Sequence, residues 1–252
     1  MRTLFALLLV FTIALESRAQ LPAADAIKTS KGDLKVQPLN HATLALTWNG
    51  KTIYADPYGG AKTFTGIAAP DLIVITDIHG DHFDPATLDA LDLGKVVIVA
   101  PQAVVDKMSD KLKAKTTVIG NGQTISKLDV SITAIPMYNM PETAESRHTK
   151  GRGNGYVLKF GDKTVYISGD TSGIPEMRAL KSIDVAFVCM NLPYTMDINE
   201  ASSAVLEFKP KIVYPYHYRG QKGFSDTDAF KKLVNAGDSK IDVRLRDWYT
   251  VK

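Results

Sequence analysis

Short apolar runs alternate with short polar segments along most of the chain. Runs that are rich in β-branched and aromatic residues predict strands, and the Asn49-Gly50 dipeptide between two of them predicts a hairpin turn. The predicted strands are Leu34–Pro38, Thr43–Trp48, Lys51–Ala55, Leu72–Thr76, Lys95–Val99, Thr117–Ile119, Val130–Ala134, Gly155–Phe160, Thr164–Ile167, Asp184–Val188, Lys211–Tyr214 and Ile241–Leu245.

Segments with helical spacing of apolar residues lie between these strands, and several begin with proline or an acidic residue. The predicted helices are Pro85–Leu91, Pro101–Met108, Pro175–Leu180, Ile198–Phe208 and Asp226–Val234. Two β-rich blocks, each interrupted by helices, predict an α/β protein whose two sheets pack face to face under outer helices. No linker or charge block divides the chain, which favours one domain.

Residues 1–19 have the form of a secretory signal peptide. Arg2 is followed by a mostly apolar stretch from Leu4 to Leu15 and then by Ser17-Arg18-Ala19, which has a small residue at each end. The stretch is shorter than the roughly 20 residues that a transmembrane helix needs. We therefore expect an exported protein, periplasmic or secreted, with residues 20–252 as a single domain and no stable membrane insertion.

Charge and cysteine content restrict the partners. Removing residues 1–19 takes away two arginines and one glutamate, which lowers the formal net charge from +3 to +2. This is too weak a field to indicate nucleic acid or an anionic membrane, so a small-molecule substrate is expected. Cys189 is the only cysteine and lies in an apolar run, which predicts a buried structural thiol and no intramolecular disulfide.

The candidate chemistry begins directly after the predicted strand Leu72–Thr76. Asp77 and His79 are two residues apart, so on extended backbone both side chains point to the same side and can reach one ion. Gly80 permits a turn that would carry Asp81 and His82 toward a second position. Carboxylate and imidazole groups suit zinc, manganese or iron. The loop therefore predicts part of a metal centre.

Further ligands must come from later in the chain, and three qualify because each lies beside a predicted strand: His148, Asp170 and His217. The two oxygens of Asp170 could bridge two cations. The glycine-rich segment from Gly151 to Gly155 lacks the Gly-Lys-Ser ending of a phosphate-binding loop, so we expect a turn beside His148 there. These positions extend the prediction to a pair of divalent ions.

In these residues the chain resembles the metallo-β-lactamase superfamily, whose signature is His-x-His-x-Asp-His followed by a distant His, Asp and His. Asn40-His41-Ala42-Thr43 and Tyr54-Ala55-Asp56-Pro57 resemble the branch that contains ascorbate-phosphate lactonase. The resemblance implies an αββα sandwich of two mixed sheets with the metals at one edge. It also implies that Asp170 bridges the ions, that one ion takes Asp77, His79 and His148, and that the other takes Asp81, His82 and His217.

The chain departs from this signature at Asp77, where the family has its first histidine. An aspartate oxygen is harder and charged, which favours manganese or iron over zinc. His41 has three open roles: replacing the missing imidazole, donating to the substrate, or holding a neighbouring carboxylate. Asp56 is expected either in an exposed turn or as a hydrogen-bond partner of a metal-bound imidazole. Tyr194 and Arg219 are candidate substrate contacts, with packing as the alternative.

The expected activity is hydrolysis of a small-molecule ester, lactone or related amide by metal-activated water, with Asp81 and His41 assisting proton transfer. Three alternatives stay open: a phosphodiesterase, a β-lactamase, and a non-catalytic periplasmic protein that binds metal or ligand. The near-neutral charge argues against an RNA substrate. Asp77 argues against a β-lactamase. A binding protein would take up metal without turnover.

Overall fold

The computed structural model describes residues 21–249 and has two seven-stranded sheets at its centre. The first sheet contains, in chain order, β1 Asp25–Thr29, β2 Gly32–Asn40, β3 Thr43–Trp48, β4 Lys51–Ala55, β5 Leu72–Val74, β6 Val97–Ala100 and β7 Thr116–Val118. The remaining strands are β8 Thr124–Lys127, β9 Val130–Met137, β10 Gly153–Phe160, β11 Lys163–Ile167, β12 Val185–Cys189, β13 Ile212–Tyr216, β14 Arg219–Gly220, β15 Gly223–Phe224 and β16 Asp242–Val243. The second sheet has the order β16-β13-β12-β11-β10-β9-β8, and β14 and β15 form a separate hairpin.

Both sheets are mixed and follow the same plan. Strands β1 to β4 pair antiparallel, and β4 to β7 continue as parallel neighbours. Strands β8 to β11 are likewise antiparallel, and β11, β12, β13 and β16 are parallel. Parallel neighbours need long crossover connections, whereas antiparallel ones can be joined by tight turns. The crossovers place the helices on the outer faces.

Helices cover both outer faces, which confirms the expected αββα sandwich. Aspartates cap three of the helices by accepting hydrogen bonds from first-turn backbone N–H groups. The first three helices, α1 Pro85–Ala90, α2 Gln102–Val105 and α3 Asp110–Lys113, pack on the first sheet. The other three are α4 Pro175–Arg178, α5 Ile198–Phe208 and α6 Thr227–Gly237, and they belong to the core cluster that includes the second sheet.

The main core lies between the sheets, and strand alternation decides which side chains enter it. In β5, Leu72 and Val74 face the opposite sheet, whereas Ile73 faces the helices. Trp48 and Phe160 meet across the interface with ring centroids 5.6 Å apart. Cys189 is fully buried, and burial raises the pKa of its thiol to about 11, so the predicted structural thiol is confirmed.

The sequence pattern missed elements with little apolar character. Strand β1 buries only Ile27, and β8 contains no buried residue, so neither presents a clear apolar face. The predicted helix Pro101–Met108 is instead the short helix α2, with a second short helix α3 after it. Each of these pieces is stabilised by pairing or packing with a neighbour, which a local pattern does not record.

The predicted signal segment, residues 1–19, lies outside the described residues. In the part of the chain that the structure describes, no helix combines the length and the apolar character needed to span a bilayer.

Asp25 joins the two sheets, and its loss should destabilise the fold. It accepts hydrogen bonds from Tyr214 Oη at 2.6 Å and from Arg246 Nη2 at 2.7 Å. Burial opposes ionisation of Asp25, but these bonds and the arginine charge lower its pKa below the ordinary 3.8. Asp25→Asn should cost about 1 kcal/mol of unfolding free energy at neutral pH in urea denaturation.

The sign of the pH dependence follows from that lowered pKa. The stabilisation is present above the unfolded-state pKa and is lost as the pH falls through the folded-state value, so the difference between Asp25→Asn and wild type should shrink as the pH falls below 3.8. The control is Asp33→Asn, which alters an exposed pair with Lys28 and should change stability little. A difference that stays constant with pH would contradict the electrostatic explanation.

Candidate metal centre

The candidate ligands come from loops at one edge of the sandwich. The loop after β5 carries residues 77–82, and its chain reverses where the backbone N–H groups of His82 and Phe83 bond to the carbonyl of His79. His148 precedes β10, Asp170 follows β11, and His217 follows β13. The structure thus brings residues that are up to 140 positions apart in the chain, Asp77 to His217, to one place.

One cluster contains Asp77, His79 and His148. One ligand atom from each residue lies within 4.8 Å of the others. His79 Nδ1 is 2.7 Å from Asp77 Oδ2, and His148 Nε2 is 3.9 Å from the same oxygen. These are the three residues that the family resemblance assigns to one ion. Their convergence places a carboxylate and two imidazoles around one point.

The second cluster contains His82, Asp170 and His217, again within 4.8 Å of one another. The Nε2 atoms of His82 and His217 are only 3.2 Å apart, so both can touch a common ion. Asp81 Oδ2 is 3.4 Å from His217 Nε2 and Asp81 Oδ1 is 4.0 Å from His82 Nε2. All three predicted ligands of the second ion therefore share this region with Asp170.

Asp170 lies between the two clusters. Its Oδ2 atom is 3.3 Å from the Nε2 atoms of both His82 and His148, and its Oδ1 atom is 3.3 Å from His217 Nε2. Asp170 is nearly fully buried, and Gly169 before it adopts a φ of 61° that favours glycine. One carboxylate thus faces histidines of both groups.

The donor set fits two divalent ions. His148 Nε2 and Asp170 Oδ1 are buried and make no hydrogen bond, a costly arrangement unless another group binds them. Burial opposes a charge on His82, but Asp170 and Asp56 raise the pKa of its imidazole well above the ordinary 6.5. A site that draws protons onto buried imidazoles favours positive charge, which metal ions would supply.

Two residues orient the histidine rings. Asp56 is fully buried rather than exposed: its Oδ2 atom is 2.8 Å from His82 Nδ1, and its Oδ1 accepts from the Thr76 backbone N–H at 2.7 Å. Asn139 Oδ1 lies 3.1 Å from His148 Nδ1. Both contacts leave Nε2 directed at the cluster, as hydrogen-bonded metal ligands are oriented. No feature of the sequence had indicated a role for Asn139.

Arg152 forms a forked pair with Asp77 that the sequence did not predict. Nε donates to Oδ1 at 3.1 Å and Nη2 donates to Oδ2 at 2.9 Å. Burial would raise the pKa of Asp77, but the hydrogen bond with His79 and the charges of His82, His79 and Arg152 lower it to about 2. The carboxylate of Asp77, which stands where the family has a histidine, is therefore paired with the positive charge of Arg152. Arg152 lies in the glycine-rich segment that we expected to be only a turn.

His41 contacts other side chains of the site. Its Nδ1 atom is 3.1 Å from His217 Nδ1, and its Nε2 accepts from Arg219 Nη2 at 2.5 Å. Burial, with the neighbouring charges of His217 and Arg219, lowers the pKa of His41 to about 3, so the ring is neutral at pH 7. Ligand atoms of His41, Asp81 and His217 also lie within 4.8 Å of one another, so His41 is placed either to bind an ion or to support His217, and its role stays a prediction.

A cavity of about 230 Å³ opens above the clusters. Asp81 lines it, and burial would raise the pKa of this carboxyl, but the hydrogen bond with His217 and the charge of His82 hold it well below its usual range. Tyr194 and Arg219, the predicted substrate contacts, also line it. The remaining lining residues are His41, His79, Arg147, Asp170, Asn191, Gly220 and Gln221.

Known proteins resemble the chain over most of its length. UPF0173 metal-dependent hydrolase of Pyrococcus abyssi is 31% identical over 227 residues, covering 84% of this chain and 96% of that relative. The namesake in Staphylococcus carnosus is 28% identical and covers 82% and 96%. A crystal structure from Parabacteroides distasonis, named as a metal-dependent hydrolase, is 38% identical with a TM-score of 0.79, covering 89% of this chain and 98% of that one.

Fold and site together define the class of the protein as a metal-dependent hydrolase, the name that these relatives also carry. A family model described as the beta-lactamase superfamily domain matches residues 35–217. The chain belongs to the metallo-β-lactamase superfamily. The predicted family, fold and enzyme class are thereby confirmed, whereas the individual ligand assignments stay predictions.

The expected export, periplasmic or secreted, is wrong. Curated relatives come from archaea such as Pyrococcus and from Gram-positive bacteria such as Staphylococcus, which have no periplasm. The expectation depended on the charge and hydropathy of residues 1–19 alone. Such a pattern does not by itself specify a compartment.

Proposed function

We propose that the chain hydrolyses an ester, a lactone or a related amide in a small molecule, using two divalent ions held by the two clusters. The observation that carries the proposal is the position of Asp170, whose oxygens lie 3.3 Å from His82, His148 and His217. The ligands that we propose are Asp77, His79, Asp81, His82, His148, Asp170 and His217. Zinc, manganese and iron all suit such ligands, and the carboxylate of Asp77 favours manganese or iron.

Ions bound here would supply a Lewis acid for the scissile carbonyl and would lower the pKa of water. The protein contributes the positions of the groups around them. Asp81 is ionised at neutral pH because its pKa is lowered, and its side chain is 35% exposed to the cavity. Its carboxylate can therefore accept a hydrogen bond from an attacking water and orient it, and it could take the proton only after bound ions had lowered the pKa of that water.

His41, in the turn between β2 and β3, and Arg219, in β14, would support this arrangement. The neutral His41 ring faces His217, and Arg219 donates to its far nitrogen. His41 would thereby keep the His217 ring aligned while the Asp81 carboxylate orients the attacking water. The polar cavity suits a small polar substrate in preference to a long apolar one.

The test is elemental analysis of protein purified without added metal, followed by loading with zinc, manganese or iron. Each form is then assayed on a panel of small esters, lactones, β-lactams and phosphodiesters. We expect two equivalents of metal, with ester or lactone turnover that a chelator removes and the ion restores. Turnover of phosphodiesters alone would favour the runner-up, and metal uptake without any turnover would indicate a binding protein.

A further inference from the structure

Two arginines stand at the rim of the cavity above the metal clusters. Arg147 directly precedes His148, and its guanidinium carbon lies 4.6 Å from the centre of the Tyr194 ring. Arg219 follows His217 by two residues, and its guanidinium carbon lies 5.0 Å from the centre of the Tyr249 ring. Both side chains line the cavity. Aromatic faces thus support both cations at the entrance.

These two arginines differ from the other arginines between residues 21 and 249. Arg152, Arg178, Arg244 and Arg246 each form an ion pair with an acidic side chain. Across the same residues, Arg147 and Arg219 form none, and the side-chain hydrogen bond of Arg219 is to a ring nitrogen of His41. An arginine fork matches a carboxylate or phosphate group in shape and charge. The rim therefore has two unused anion-binding groups.

The charges below the rim do not neutralise these arginines when the centre is loaded. The carboxylates of the centre are Asp56, Asp77, Asp81 and Asp170, and they would match the positive charges of two divalent ions. Arg152, paired with Asp77, adds a further positive charge, so the loaded centre would have no excess negative charge. The positive charge of Arg147 and Arg219 would then remain at the mouth of the cavity, where it can attract an anionic group of a bound molecule.

We propose that the substrate is an acid: a carboxylate or phosphate group is bound by Arg147 and Arg219 while the scissile bond lies over the metal clusters. This inference rests on the proposed function, because it assigns the substrate class of the same site. Tyr194 supports the Arg147 guanidinium from one face, and the guanidinium N–H groups make no hydrogen bond within residues 21–249, so they can donate to such a group. Arg219 would keep its contact with His41 or exchange it for the anion.

The first test measures binding by calorimetry and needs no turnover. Metal-loaded protein is titrated with succinate, with levulinate, which replaces one carboxylate by a ketone, and with 3-phosphonopropionate. Succinate should bind about tenfold more tightly than levulinate, because a charge-assisted hydrogen bond to arginine has about that effect. A preference for 3-phosphonopropionate over succinate would identify phosphate as the bound group, and the reverse order would identify carboxylate.

Variants distinguish direct binding of the anion by the two arginines from a general effect of positive charge on the protein surface. Arg147→Gln and Arg219→Gln should each weaken succinate binding about tenfold and reduce the preference over levulinate. Lys222→Gln is the matched control, since it removes an exposed positive charge from the turn of the same hairpin but does not line this cavity. It should leave binding unchanged. Equal binding of succinate and levulinate, or wild-type binding by both arginine variants, would overturn the proposal.

Kinetics then distinguish this proposal from the proposed function. With any ester that is hydrolysed, an acidic member of a matched pair should have the lower KM, and Arg147→Gln should raise the KM of the acidic member more than that of the neutral one. Turnover of neutral esters with no such preference would reject the acidic substrate and retain the hydrolase. Absence of all turnover would reject the hydrolase, and the calorimetry would still decide whether the rim binds anions.

Discussion

Replacing Asp170 by asparagine should reduce the bound metal from two equivalents to one or fewer and lower hydrolysis by at least about a thousandfold. The substitution keeps the shape of the side chain but removes the charge that faces His82, His148 and His217. Both clusters would then share an uncharged amide that offers one oxygen. Elemental analysis and the ester assay measure the two effects separately.

Asp162→Asn is the control for the loss of one negative charge, because Asp162 lies in the exposed turn between β10 and β11. It should retain both ions and full activity. If Asp170→Asn binds two equivalents of metal with wild-type affinity, Asp170 does not bridge the clusters. In that case the convergence of the three histidines on its oxygens would have a purely structural meaning.

Replacing Asp77 by histidine, the family's residue at this position, should leave the protein stable only if Arg152 is changed at the same time. In Asp77→His alone, the guanidinium of Arg152 loses both hydrogen bonds to the carboxylate and faces two imidazoles. Removing one partner of a largely buried pair should cost about 3 kcal/mol of unfolding free energy. The double variant Asp77→His with Arg152→Gln should recover much of that loss, so the two changes should be strongly non-additive in denaturation.

The same variants should alter the metal preference. A neutral imidazole in place of Asp77 favours zinc, and a carboxylate favours manganese or iron. Loading from an equal mixture of zinc and manganese, followed by elemental analysis, should therefore give a higher zinc share in the double variant than in wild type. Additive stability changes together with an unchanged metal ratio would show that Arg152 and Asp77 do not act as a unit.

Local patterns predicted which residues converge at the sheet edge, because most of these residues lie in loops directly after strands. The run Leu72–Val74 is apolar on both faces, and the polar residues after it belong to a loop at the sheet edge. Asp77, His79 and His82 could be recognised by spacing, and Asp170 by the apolar strand before it. Edge strands such as β8 were not predicted, because their stability comes from pairing with a neighbouring strand and not from an apolar face of their own.

The sequence by itself determined which chemistry was available. It supplies five histidines, aspartates close to them in the chain, and strands next to the loops that carry these residues. Only the tertiary structure decided that Arg152 neutralises Asp77, that Asn139 holds His148, and that Arg147 and Arg219 remain without acidic partners. The physical reason is that side-chain type and local spacing are properties of the chain. A hydrogen bond or an ion pair between distant residues, by contrast, depends on the positions to which packing brings them.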